Sequence, residues 1–386
     1  METVNGRNEK KEQPTIMATV AQSQSTSGRS PARLWRPVQA LLLLACLACV
    51  VAFPLVFSDP AVTTIAFFTL VFAAAGTAWN IFSGYTGYIA LGHAVFFGLG
   101  CYTLALVCKW WSIPGGWMPF AFVPLAGVVA AIAAVPVGIV ALRTRRHTFV
   151  VITIAIFFIF QLLAYNLRGL TAGSSGLELP IPPWSGYVFN LPFYYVILAV
   201  LLLATLTSWF VRHSKYGLEL LAIRDDEDRA RGLGVRTGRV KLAAFVLSAF
   251  FVGMCGAVWA YFLGSIYPPF AFDANFDVLI ALMAFLGGLG TIAGPLLGAV
   301  IIIPAQQYLT ITFSQGGVYL VFEGIVFLAV ILLLPEGIVP AVRNRLFKRL
   351  TARNETPVAP QPPTVRAPRT GPNAPNPPGS VVAERK

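Results

Sequence analysis

The polar residues of this sequence that could act on a small molecule lie in two glycine-rich interruptions of otherwise apolar sequence. The first, NIFSGYTGYIALGH, covers residues 80–93, and the second, GGLGTIAGP, covers residues 287–295. Irregular polar backbone is tolerated at membrane depth only where protein or a water-filled cavity satisfies it, and paired interruptions in two halves of a transporter point to its binding site. Both stretches are therefore candidates for a solute path, with close helix packing or tight turns as the alternative.

A third polar segment, TAGSSGL at 171–177, combines small hydroxyl residues with glycine. It is a candidate for a mouth or a gate of the same path, or for a plain turn. The candidate path residues are Asn80, Ser83, Tyr85, Thr86, Tyr88, His93, Thr171, Ser174, Ser175, Gly287, Gly288 and Gly290.

No residue pattern predicts catalysis, a metal site or a cofactor in this chain. The sequence lacks a G-x-x-x-x-G-K-[ST] phosphate loop, so we expect no ATP hydrolysis by that route. His93, His147 and His213 are scattered singly and form no cluster with carboxylates that could hold a metal. The five cysteines lie in apolar runs, where we expect them to pack as small apolar residues.

Composition identifies the elements that must position these residues as membrane helices. Of the 386 residues 56% are hydrophobic and only 11% are charged, whereas a soluble domain carries about a quarter charged residues. About ten apolar runs are close to the length of about 20 residues that crosses a bilayer. They lie at about 38–57, 61–82, 94–108, 117–142, 148–166, 190–211, 242–265, 276–292, 294–313 and 318–340. The sequence therefore predicts an all-α polytopic membrane protein of about ten transmembrane helices.

The basic residues predict the orientation of these helices. The net charge is +12, but the basic residues flank apolar runs, which favours membrane orientation over nucleic-acid binding. The arginines of 143–146, the segment 212–241 and the basic residues after 342 fall on one side, and only Lys109 and Arg168 fall on the other. The basic side is predicted to be cytoplasmic, with both termini inside. The predicted domains are a disordered tail at 1–34, a transmembrane domain at 35–342 and a basic, then Pro-rich, disordered tail at 343–386.

The segment 212–241 is the only long hydrophilic stretch between the first and last apolar runs. Its charged part, RDDEDRAR at 224–231, predicts a short helix because acidic residues stand near its start. Gly232 or Gly234 would end that helix as a C-terminal cap. The alternative is a solvated connecting loop whose charges only keep it out of the bilayer.

Six motifs, in the same order, resemble the membrane-spanning subunits of branched-chain amino-acid ABC importers of the LivM type. The first is GYTGYIALGHAVFFGLGCYT at 84–103, and the longest is SKYGLELLAIRDDEDRARGLGVRTGRVKLAAFVLSA at 214–249. The other four lie at 142–155, 171–177, 285–299 and 334–338. Ala90 and Ala172 stand where that family commonly has Ser and Gly, and RDDEDRA departs from its R-E-N-E-x-A-A pattern.

The resemblance implies a bacterial inner-membrane permease that works with a second, homologous permease, two cytoplasmic ATPase subunits that bind ATP, and a periplasmic solute-binding protein. It also implies that residues 224–235 form the coupling helix that docks on an ATPase subunit. The coupling residues would be Arg224, Asp225, Asp226, Glu227, Arg229, Ala230, Gly232 and Gly234. Neutral groups in the path would suit a zwitterionic amino acid, while other amino acids, short-chain amides and urea remain alternatives.

Two further classes of function stay open on the sequence alone. An ion-coupled secondary transporter or channel would use ionisable residues within its spans, and Glu323, with Asp273 and Asp277 near an external end, supplies the candidates. A membrane scaffold without transport would have no use for paired glycine-rich breaks.

Overall fold

The computed structural model describes residues 32–57, 59–312 and 337–342, together with residues 321, 324, 325 and 328. Nearly all of the two predicted tails, most of the predicted last span and Glu323 lie outside the described residues. The helices in chain order are α1 (Ala32–Val56), α2 (Pro60–Trp79), α3 (Ala94–Trp110), α4 (Met118–Ala121), α5 (Val123–Ala141), α6 (Arg146–Asn166), α7 (Arg168–Thr171), α8 (Asn190–His213), α9 (Lys215–Asp225), α10 (Glu227–Gly232), α11 (Thr237–Leu263), α12 (Pro268–Ala271), α13 (Ala274–Gly287) and α14 (Gly294–Thr312). Two short strands, β1 (Leu177–Glu178) and β2 (Ser265–Ile266), pair antiparallel.

Six helical stretches of the described chain are long and apolar enough to cross a membrane. They are Pro60–Gly84, Met118–Ala141, Arg146–Asn166, Asn190–His213, Thr237–Leu263 and Pro268–Gly287. Large apolar side chains such as Ile132 on α5 and Ile159 on α6 are exposed, as lipid contact requires. The predicted helical, multi-pass membrane fold is confirmed, with one short two-stranded sheet added to it, whereas the number of about ten spans stays a prediction.

The centre of the fold is α11, which packs against α3 and α5 through glycines. A Cβ atom on Gly100 of α3 would lie 2.0 Å from the carbonyl oxygen of Gly253, and one on Gly256 would lie 2.0 Å from that of Phe97. Lipid provides no hydrophobic driving force for helix association, so membrane helices associate through close packing. Small residues at the interface allow their backbones to approach closely. Of these helices, α11 also contacts the first glycine-rich break, where the ring of Phe245 lies 5.0 Å from that of Phe82.

Both predicted breaks interrupt helices. The α-helix α2 ends at Trp79 and continues as a π-helical turn, Asn80–Gly84, a form found at functional sites, and α3 begins only at Ala94. The apolar run predicted at 276–292 is helical only to Gly287, because Gly288 and Gly290 adopt φ angles of 121° and 78°. Side chains rarely tolerate such angles, so the chain turns here and restarts as α14.

The hydrophilic segment contains two helices where the sequence predicts one. Asp226 takes an extended conformation between α9 and α10, and its carboxylate accepts hydrogen bonds from the backbone N–H groups of Asp228 (3.0 Å) and Arg229 (3.1 Å). This is the geometry of a helix N-cap, for which Asp is among the preferred residues. Gly234, with φ 91°, follows the end of α10, so it adopts the left-handed conformation predicted for the cap.

Candidate functional site

The two glycine-rich breaks contact each other directly through the side chain of Asn80. Its Nδ2 donates to the carbonyl oxygen of Thr291 at 2.9 Å, and its Oδ1 accepts from the N–H of Gly290 at 2.8 Å. Asn80 is fully buried. The amide therefore satisfies the irregular backbone of the second break, which the membrane interior requires.

The other polar groups of the first break are also bonded within the protein. The Ser83 hydroxyl accepts from the N–H of Ala90 at 3.3 Å, and the Thr86 hydroxyl donates to the carbonyl oxygen of Phe82 at 2.8 Å. Trp79 Nε1 donates to the Ala90 carbonyl oxygen at 2.8 Å. These bonds fold residues 85–93 back against the π-helical turn, so that the break is a packed structure in this conformation.

Two aromatic side chains of the first break anchor it to neighbouring helices. The Tyr85 hydroxyl bonds to Ser208 Oγ on α8 at 2.7 Å. His93 Nε2 bonds to Ser248 Oγ on α11 at 2.8 Å, and the imidazole is fully buried. The first break is thus connected to the helices on either side of the hydrophilic segment.

Arg224, at the end of α9, reaches both breaks. Its Nη1 donates to the carbonyl oxygen of Gly84 at 2.9 Å and lies 3.5 Å from that of Leu289. A Cβ atom on Gly290 would lie 2.2 Å from this Nη1, so the second break needs glycine for the approach. Burial lowers the pKa of the guanidinium, which stays charged because its ordinary pKa is far above neutral. A cation beside carbonyls at helix ends is electrostatically favourable.

The first residue of α6, Arg146, holds the end of α9 in place. Arg146 Nη2 donates to the carbonyl oxygens of Ile223 at 2.9 Å and Arg224 at 2.6 Å. These carbonyls belong to the last turn of α9, which has no intrahelical donors for them. The sequence offered only the orientation of the membrane as a role for Arg146.

A buried ion pair connects α10 to the first break and to α11. Lys241 Nζ donates to Glu227 Oε1 at 2.7 Å and to the Tyr88 hydroxyl at 3.2 Å, and the Tyr88 hydroxyl donates to Glu227 Oε2. The Lys241 side chain is 3% exposed and that of Glu227 is 16% exposed. Burial raises the pKa of Glu227, but hydrogen bonds from Lys241 and Tyr88 and the lysine charge outweigh it and hold the pKa below its usual value.

A cleft of about 510 Å³ lies between the start of α6 and the helices α9 and α10. It is lined by the arginines at 143, 145, 146 and 231, by the acidic residues 225–228, and by Tyr88 and Lys241. The cleft therefore brings basic and acidic side chains together.

The predicted coupling residues divide into an inner and an outer group. Ala230 is buried, and Arg224 and Glu227 point into the contacts described above, while Asp226 caps α10. The exposed group consists of Asp225, Arg229, Gly232 and Gly234. Leu233 stands next to this group with 85% of its surface exposed. The outer group forms a surface that a partner could contact, and the inner group connects that surface to the membrane helices.

The third polar segment lies at the opposite end of α6 from Arg146. The Thr171 hydroxyl donates to the carbonyl oxygen of Ala164 at 2.5 Å, and Ser174 and Ser175 are exposed. The helix α6 separates the two regions by about 30 Å at about 1.5 Å per residue. Leu91 of the first break contacts Thr153, about 20 Å along α6 from its end at Asn166, so Thr171, Ser174 and Ser175 do not join the first break.

The family described as branched-chain amino acid transport system / permease component matches residues 61–334, more than half of the chain. The chain belongs to this permease family. LivM, the high-affinity branched-chain amino acid transport system permease protein of Salmonella typhimurium, is 28% identical over 80% of this chain and 76% of its own length.

Other permeases are similar over shorter or equal stretches. LivM of Escherichia coli is also 28% identical over 80% of this chain and 76% of its own length. LivH of Escherichia coli, a second permease protein of the same kind of system, is 26% identical over 69% of this chain and 90% of its own length. No solved structure matches the chain. Membership of the permease family places all the contacts described above in a multi-pass transport protein.

Proposed function

We propose that this chain is a membrane-spanning subunit of an ATP-driven importer for branched-chain amino acids. The named relatives are permease proteins of such systems, and the matched family covers both breaks and the whole hydrophilic segment. A permease for urea or short-chain amides of the same importer class is the alternative, since a separate binding protein would select the solute first.

The assembly we propose contains a second, homologous permease, two cytoplasmic ATPase subunits that bind the ATP, and a periplasmic solute-binding protein. The chain itself would carry no ATPase site and no cofactor. The basic side would face the cytoplasm, with both termini inside and about ten spans in the inner membrane. In this arrangement α9, α10 and the cleft lie in the cytoplasm, and residues 171–175 lie on the outer side.

The observation that carries the proposal is the contact of Arg224 with both glycine-rich breaks. In the proposed mechanism an ATPase subunit binds the outer group, and ATP-driven closure displaces α9 and α10. Arg224 transmits this displacement to the carbonyl oxygens of Gly84 and Leu289, and the Glu227–Lys241 pair transmits it to α11. ATP and the loaded binding protein must prefer different conformations for such a cycle to run.

The experiment is uptake of labelled leucine, with urea in parallel, by proteoliposomes that hold the complete complex, its binding protein and internal ATP. Arg224→Ala should leave the complex assembled and able to hydrolyse ATP, but lower uptake per ATP at least tenfold. Arg224→Lys, which keeps the charge but not the planar fork, should retain an intermediate rate. Arg239→Ala, an exposed arginine at the start of α11, is the matched control and should transport as the wild type does.

Two results would contradict the proposal in different ways. Uptake that ignores ATP and follows an imposed proton or sodium gradient would make the chain part of a secondary transporter. Unchanged, fully coupled uptake in Arg224→Ala would leave the importer intact and remove Arg224 from the transmission.

A further inference from the structure

Asp277 is a buried carboxylate in the membrane region. In the part of the chain that the structure describes, no cation pairs with it as Lys241 pairs with Glu227. Among the described residues, the buried side chains with a formal charge are those of Lys241 and Asp277. Lys241 pairs with Glu227, whereas Asp277 is 3% exposed and its Oδ2 has no hydrogen-bond partner. Ionisable residues inside a membrane protein mark solute and ion routes. The sequence alone predicts only that Asp277 lies near an external end.

The carboxylate faces the N-terminus of α3. Its Oδ1 accepts a hydrogen bond from the N–H of Ala94, the first residue of that 17-residue helix, at 3.1 Å. One oxygen therefore satisfies the helix end, where negative charge is favourable. The other oxygen makes no hydrogen bond of ordinary geometry, although the backbone N–H of His93 also lies close to the carboxyl group, and a buried atom in that condition is rare in native proteins.

This N-terminus lies inside the membrane region. The N–H of Leu91 donates to the Thr153 hydroxyl at 3.2 Å, and a Cβ atom on Gly92 would lie 2.6 Å from the Thr153 carbonyl oxygen. Thr153 lies about 10 Å beyond the start of α6, at about 1.5 Å per residue. The helix α3 thus begins about one third of the way across, next to the first glycine-rich break.

Aromatic rings pack between α13 and the helices beside it. The ring of Phe276 lies 4.4 Å from that of Phe97 and 5.4 Å from that of Phe72, measured between centroids. Phe272 packs on α3 one turn further out, where a Cβ atom on Gly98 would lie 2.4 Å from its ring. In the described residues, Nδ1 of His93, the residue just before α3, is likewise buried without a hydrogen-bond partner.

We propose that Asp277 Oδ2 is the acceptor for the N–H groups of the transported solute as it passes the start of α3. The inference rests on the proposed importer function and names the chemistry that this position takes: a small solute with an ammonium or amide head and an apolar or compact remainder. The ammonium group of leucine and the amide groups of urea both meet that description.

The test compares Asp277→Asn with Asp273→Asn in the complete complex. The asparagine at 277 keeps an oxygen for Ala94 but presents an NH₂ group in place of the free oxygen. Asp273 caps α13 by accepting from the N–H of Asn275 at 2.9 Å, a role that asparagine fills equally well. Asp277→Asn should lower leucine uptake per ATP at least tenfold, while assembly and ATP hydrolysis stimulated by the loaded binding protein stay within twofold of wild type. Asp273→Asn should behave as the wild type does.

Equilibrium binding of labelled leucine to the purified complex, without ATP, provides a second measurement. Binding that Asp277→Asn weakens at least tenfold and Asp273→Asn leaves unchanged would support the acceptor role even if uptake proved not to depend on ATP. Wild-type uptake and binding in Asp277→Asn would overturn it. Loss of assembly and of ATP hydrolysis together with uptake would also overturn it, because Asp277 would then hold α3 in place and not bind the solute.

Discussion

Neutralising Glu227 should destabilise α10 more than removing its partner Lys241 does. Loss of one partner from a fully buried ion pair costs about 3–5 kcal/mol, because the other charge is left uncompensated. In Glu227→Gln the Lys241 ammonium, 3% exposed, stays in place, but the glutamine oxygen and the Tyr88 hydroxyl still accept from it. We therefore expect about 2 kcal/mol, below that range. In Lys241→Met the carboxylate, 16% exposed, keeps the Tyr88 hydroxyl and Arg231, so we expect about 1 kcal/mol.

Hydrogen exchange of the backbone amides in α10 measures this difference, because local opening controls their protection. At about 1.4 kcal/mol per factor of ten, exchange should accelerate about thirtyfold in Glu227→Gln and about fivefold in Lys241→Met. The double variant should resemble Lys241→Met, since no charge is then left without a partner. Glu219→Gln, a matched change on α9, should remain within twofold of wild type. Faster exchange in Lys241→Met than in Glu227→Gln would refute the reasoning.

Two further predictions concern the packing of α3 on α11 and the pH dependence of the Glu227 contacts. Gly100→Ala places a methyl group 2.0 Å from the Gly253 carbonyl oxygen, and such overpacking costs about 1–3 kcal/mol. The apparent Tm of the detergent-solubilised protein should therefore fall, by about 2–4 °C for each kcal/mol. Gly169→Ala, with nothing within 4 Å of the added methyl, should leave the Tm unchanged. The pKa of Glu227 is lower in the folded protein than in the unfolded chain, where it is about 4.3. The ionised carboxylate should therefore stabilise α10 fully above about pH 4.3, and this stabilisation should be lost as the pH falls through the folded-state pKa. Hydrogen exchange of the α10 amides, corrected for the intrinsic pH dependence of exchange, measures this. The protection of these amides should stay constant between about pH 6 and about pH 8 and should fall only in acid.

Much of the architecture follows from local sequence. Apolar runs of membrane-spanning length predict the six described spans, since backbone at that depth must satisfy its own hydrogen bonds. Glycine and polar residues at 80–93 and 287–295 predict the two breaks for the same reason. The sequence pattern alone does not show that the hydrophilic segment divides into two helices at Asp226. Asp is a preferred N-cap residue, but acidic residues are also favourable inside the first turn of a helix, so the run of acidic residues does not specify which one is the cap.

The sequence by itself determined the membrane class, the two breaks and the charged helical segment, because each depends on hydrophobicity or backbone preference within a few residues. Only the tertiary structure decided which polar groups meet. Asn80 and Gly290, Arg224 and Gly84, and Asp277 and Ala94 are distant in sequence. A buried polar group takes whatever partner the packed helices bring within about 3 Å, and no local pattern specifies that partner. The connection between the hydrophilic segment and the breaks is therefore a property of the folded helices.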